Sequence, residues 1–233
     1  MLLYSTKAKT YLHGMLLEIC ANSVQSAINA QLGGADRIEL CHDLTVGGVT
    51  PDNTVLREVR MKVSIPVFVL VRSRAGNFVY TRKEVKEMKE SILLCKTLGY
   101  EGVVIGALTK ENKIDLDAMK TLIAAASGMK VTFHRAFDEL TDYKEGLEQL
   151  KSMGVNRILT SGLSSNAVAG AKTLFNLVKL AGKELVIMPG GGVRPDNINR
   201  LLSTGAKEFH SSCIAAGSDI TDVKMVKALK ARL

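Results

Sequence analysis

Eight times along its 233 residues the chain repeats one pattern: a short apolar or β-branched run, a turn, an amphipathic stretch, and a glycine-containing link into the next run. Runs bounded in this way read as buried parallel strands, and the stretches between them as helices. The strands are expected at 16–20, 37–40, 67–71, 102–105, 130–134, 157–160, 185–188 and 208–211. The link itself recurs, as Gly34-Ala35-Asp36-Arg37, Gly154-Val155-Asn156-Arg157 and Gly205-Ala206-Lys207-Glu208. A repeat of roughly 25–30 residues, each unit a strand and a helix, is what a (β/α)8 barrel of about 250 residues requires. The fold expected is therefore α/β, a TIM barrel in a single domain spanning 15–233, with residues 1–14 an extension outside it.

Helix ends are marked by their caps. Asn22 or Ser23 opens the first helix, Thr81 precedes one over 83–98, and Asp115 precedes one over 116–126. Thr141 or Asp142, Ser164 or Ser165, Pro195 and Thr221 open later ones. Each of these residue types satisfies, or in the case of proline lacks, an N–H group that the first helical turn leaves without a partner.

Composition narrows the function classes. The net charge is +8, but the basic residues are scattered and aromatics are 5%, so a nucleic-acid partner is not expected. No run of about 18 apolar residues suggests a membrane span. Cys20, Cys41, Cys95 and Cys213 lie far apart with no C-x-x-C pair, which fits free thiols in the cytoplasm. Cys95, on an apolar helix face, and Cys213 read as small core residues.

In a barrel the chemistry gathers at the carboxyl ends of the strands, and residues alternate in facing direction. If Leu17, Ile19, Ile38 and Leu40 face the helices, then Glu18, Cys20, Glu39 and Cys41 face inward. Strand three ends in Arg72, with Arg74 two residues on, and Arg72 is the expected partner of Glu39 and of Glu18. Strand five brings Thr132 and His134 inward, followed by Arg135 and Asp138, and strand eight brings His210. The run Gly190-Gly191-Gly192 after strand seven, with Arg194 and with Ser211 and Ser212 after strand eight, can gather N–H donors around an anion. A set this polar inside a barrel costs free energy unless a ligand or a network satisfies it.

These segments also carry a resemblance. Glu18-Ile19-Cys20-Ala21-Asn22-Ser23, Gly33 to Cys41 and Gly47-Gly48-Val49-Thr50-Pro51 resemble the CutC family, named for copper homeostasis. So do Gly102 to Leu108, Thr132 to Asp138, Arg157 to Gly162, Met188 to Arg194 and Glu208-Phe209-His210. The resemblance implies a cytoplasmic barrel that forms a homodimer or higher homo-oligomer and has a role in copper handling. Arg72-Ser73-Arg74 stands where the family usually has Arg-Pro-Arg.

Two functions follow. In the first, Cys20 and Cys41 bind copper as Cu(I), since soft thiolates select it. In the second, the pocket serves a metabolic enzyme or binding protein for a small anionic metabolite, such as a phosphorylated one. Arg72, Arg74, Arg135, Asp138, Ser161, Gly190, Gly191, Gly192, Arg194 and Ser211 would then bind it, and Glu18, Glu39, His134 and His210 are the acid–base candidates. No lysine stands at the carboxyl end of a strand, which argues against Schiff-base chemistry.

Overall fold

The computed structural model describes residues 14–233; the extension expected at 1–14 lies, apart from Gly14, outside the described residues. Strands and helices alternate from β1 (Leu16–Ala21) to α8 (Val223–Lys230). The strands between are β2 (Arg37–Leu40), β3 (Val67–Leu70), β4 (Gly102–Ile105), β5 (Lys130–Phe133), β6 (Arg157–Thr160), β7 (Val186–Pro189) and β8 (Glu208–Ser211). They form one parallel sheet in the order β7-β6-β5-β4-β3-β2-β1-β8. The two ends, β7 and β8, lie side by side without a backbone ladder among the described residues, so the barrel closes with one unladdered seam.

The alternation sorts the side chains into two cores. Leu17, Ile19, Ile38, Leu40, Val69 and Phe209 belong to the layer between sheet and helices, while Cys20, Cys41, Phe68, Leu70 and Val104 pack together in a second, smaller cluster. Burying each Leu or Ile of the outer layer stabilises the fold by about 1.5–3 kcal/mol before entropy is counted. The same layer holds Cys95, which is fully buried and whose thiol burial pushes up to about 12.

Helix starts follow local hydrogen bonding. The Ser23 side chain accepts from the Ser26 N–H at the head of α1 (Val24–Leu32), and Thr81 and Glu84 form a reciprocal capping box on α3 (Arg82–Thr97). Asp115 and Asp142 cap α4 (Leu116–Ala125) and α5 (Tyr143–Ser152). Three later starts differ from expectation. The helix expected from Ser164 or Ser165 begins at Ala171, because the Ser164 carbonyl accepts from Ser161 Oγ at 2.5 Å and that segment folds as a turn over the end of β6. The helix expected from Pro195 begins at Ile198 and is five residues long, and the last helix is capped by Asp222 rather than Thr221.

Candidate functional site

Below the mouth, a layer of charged groups closes the barrel. Glu18 is completely buried and accepts from Arg37 Nε and, at 2.8 Å, from His210 Nδ1. Arg37 Nη2 reaches Glu208 at 2.5 Å, and Arg157 Nε reaches the same Glu208 oxygen at 3.0 Å. The guanidinium carbons of Arg37 and Arg157 each stand 4.9 Å from the ring centre of Phe68. Burial alone would push the Glu18 carboxyl up. The charge of Arg37, the hydrogen bond and charge of His210 and the charge of Arg157 outweigh it and hold the group well below its ordinary range.

Arg37, Arg157 and Glu208 were not anticipated as interior residues. They occupy the last place of the link that repeats at Gly34, Gly154 and Gly205, and counting the alternation back from Ile38 and Leu40 puts Arg37 on the same face as Glu39. The expected pairing of Arg72 with Glu39 or Glu18 does not occur. Arg72 donates to the carbonyls of Val46 and Gly48, both at 2.8 Å, and of Gly76 at 2.6 Å. Three loop carbonyls take the Nη1 and Nη2 donors of a guanidinium that a strand pattern alone would match to the nearest carboxylate.

Above this layer Cys20 and Cys41 meet, Sγ to Sγ 3.4 Å, and Cys20 Sγ donates to Glu39 Oε1 at 3.3 Å. Ligand atoms of Cys20, Glu39 and His210 all lie within 4.8 Å of one another. The hydrogen bond from Cys41, burial and the charge of Glu39 push the Cys20 thiol up. Burial likewise raises the Glu39 carboxyl, and the charge of His210 only partly offsets this. For His210, burial alone would favour the neutral ring, but the charge of Glu39 and the hydrogen bond and charge of Glu18 raise it.

These groups floor a cavity of about 520 Å3. Cys20, Glu39, Arg72, His134, Arg135, Asp138, Gly191, Gly192, Arg194, His210 and Ser211 line it, together with Val193 and Ser212. Glu18 and Cys41 lie beneath its surface, both completely buried. Gly190 and Ser161 flank it without lining it. Arg74 is elsewhere, paired with Glu84 at 2.5 Å and bonded to the carbonyls of residues 75, 77 and 79. Asp138 is occupied: it accepts from Thr160 Oγ1, from the N–H groups of Ser161 and Leu163 and from Arg135, fastening the turn after β6. Met188, the remaining soft side chain of the region, accepts from Arg37 Nη2 at 3.4 Å in the charged layer.

The rim after β7 is built on backbone that only glycine adopts freely. Gly191 and Gly192 have φ of +94° and +78°. Ser211 Oγ donates to the Val193 carbonyl at 2.7 Å, and Arg194 Nη1 reaches the Ser211 and Ser212 hydroxyls at 3.4 and 3.3 Å.

Comparison with known proteins places this barrel. The CutC family profile matches residues 15–215. The chain belongs to the CutC family. A human relative, the copper homeostasis protein cutC homologue, is 46% identical over 201 residues, covering 86% of this chain and 74% of the human one. A CutC family protein of Parabacteroides distasonis is 48% identical over 199 residues, covering 84% of this chain and 82% of that one. The crystal structure of CutC from Streptococcus agalactiae superposes with a TM-score of 0.81 at 36% identity, covering 85% of this chain and 98% of that one. The CutC match takes in all eight strands and the whole cavity wall. No helix among the described residues is long and apolar enough to cross a membrane.

Proposed function

We propose that the chain serves copper homeostasis by holding monovalent copper between the sulfurs of Cys20 and Cys41. The observation that carries this reading is the 3.4 Å approach of the two thiols, one of which lines the cavity. Two soft sulfur donors side by side favour Cu(I) over harder divalent ions. His210 offers a nitrogen within 4.8 Å of the Cys20 sulfur, and the name of the human relative points the same way. The described cysteines are all free, as a reducing cytoplasm would keep them. The ion enters through the cavity, and the thiols release protons as it binds.

Titration of the reduced protein with Cu(I) against a competing chelator tests the assignment. The double variant Cys20→Ser, Cys41→Ser should bind at least ~100-fold more weakly, beyond the 10–100-fold that loss of a group behind a metal ligand costs. An affinity equal to that of the parent protein would remove the two thiols from the site.

A further inference from the structure

The copper reading leaves most of the cavity wall without a task. Its upper wall is rich in hydrogen-bond donors that nothing in the fold uses. The N–H groups of Gly191, Gly192 and Val193 find no acceptor among the described residues. Arg194, beside them, has only the two long contacts to serine hydroxyls, which leaves most of its five donors unspent.

On the β5 side of the cavity, His134 is 5% exposed. Its Nδ1 accepts from the Ala136 N–H at 3.2 Å, so in the neutral ring Nε2 carries the hydrogen, and that buried N–H has no partner. Burial and the charge of Arg72 hold this ring neutral, with its pKa lowered to about 3. Arg72 Nε is a second buried donor without an acceptor, and Glu39 Oε2, 4% exposed overall, is a buried acceptor without a donor. A buried donor or acceptor left without a partner is costly, so the collection of His134 Nε2, Arg72 Nε and Glu39 Oε2 around one cavity marks a binding site.

We infer that this cavity binds a small phosphorylated metabolite. The phosphate sits on the N–H groups of Gly191, Gly192 and Val193 with Arg194, and another oxygen of the metabolite accepts from His134 Nε2. Three successive N–H groups and a guanidinium match the several acceptor oxygens of a phosphate monoester. The wall formed from β2, β3 and β5, where His134 and Arg72 donate and Glu39 accepts, matches the hydroxyl or carbonyl oxygens of a short carbon chain. The volume of about 520 Å3 falls within the range of small-molecule pockets, about 300–1,000 Å3.

Calorimetry on reduced, copper-free protein tests this with ribose 5-phosphate, glycerol 3-phosphate, ribose and inorganic phosphate. At least one of the two phosphate esters should bind and ribose should not, with inorganic phosphate roughly tenfold or more weaker than the better ester. Arg194→Ala should weaken that ester by roughly tenfold to a hundredfold, and Arg194→Lys by less, since one charged hydrogen bond is lost in the first and partly kept in the second. His134→Phe should bring the ester's affinity towards that of inorganic phosphate, and thermal unfolding of each variant checks that it remains folded. The inference is overturned if neither ester binds, if ribose binds as well as they do, or if the folded Arg194 and His134 variants bind the ester as the parent does. Because copper is absent throughout, failure here leaves the Cu(I) titration untouched, and failure of that titration leaves this result standing.

Discussion

Glu18→Gln should destabilise the protein by about 3–5 kcal/mol, the cost of breaking a buried ion pair from one side. The substitution keeps the size of the side chain and removes the charge that faces Arg37 and His210. Arg37 would then share only Glu208 with Arg157, and two buried guanidinium groups would divide one carboxylate. For a domain of this size the loss corresponds to a fall of roughly 6–20 °C in melting temperature. The pH dependence has a definite sign. The folded-state pKa of Glu18 is depressed below its ordinary 4.5, so its contribution is present above that value and is lost as the pH falls below it. Melting curves of parent and variant should stay far apart at neutral pH and converge below about pH 4.5. A difference under about 1 kcal/mol at pH 7 would show that the charged layer is not held by Glu18.

Phe68→Ala should cost a similar amount, about 3–5 kcal/mol, by opening a cavity in the middle of the barrel. Phe68 is 4% exposed and neighbours Cys20, Cys41, Leu70 and Val104. Gly102 leaves the room the ring needs, since a Cβ there would come within 2.7 Å of it. The ring also stands between the thiols and the charged layer, in cation–π contact with Arg37 and Arg157, which adds about 0.5–2 kcal/mol per contact. Phe68→Leu restores most of the volume without the π face. Denaturant unfolding of the two variants therefore separates packing from the cation–π share, and equal losses in both would assign the larger part to the ring's electrostatics.

The fold was legible because each strand is bracketed by chemistry that local rules describe. Arg37–Leu40, Gly102–Ile105, Arg157–Thr160 and Glu208–Ser211 start and stop where a glycine link and a change of polarity place them. The inward positions of Cys20 and Glu39 followed from the apolar residues on either side of them. Arg37 and Arg157 were harder to see, because an arginine after a glycine link looks like the solvated end of a loop. Their third companion, Glu208, shares the same place in the repeat, and that coincidence was the available signal. The partners of Arg72 depend on the path of two loops, and hydrophobic periodicity contains no information about a loop's carbonyls. The false helix start at Ser164 has a similar origin: a serine that can cap a helix can equally close a turn, and the contact with Ser161 decides between them.

At the seam between β7 and β8 the rim of the barrel is held without a backbone ladder among the described residues. Gly191 to Val193 extend from one side of it and Ser211 and Ser212 from the other, so no backbone ladder sets the width of the rim at that point. The width is set by side chains, through Ser211 Oγ on the Val193 carbonyl and Arg194 on the two serine hydroxyls. A change at Ser211, Ser212 or Arg194 therefore acts on the one side of the rim that the seven laddered strand pairs do not hold.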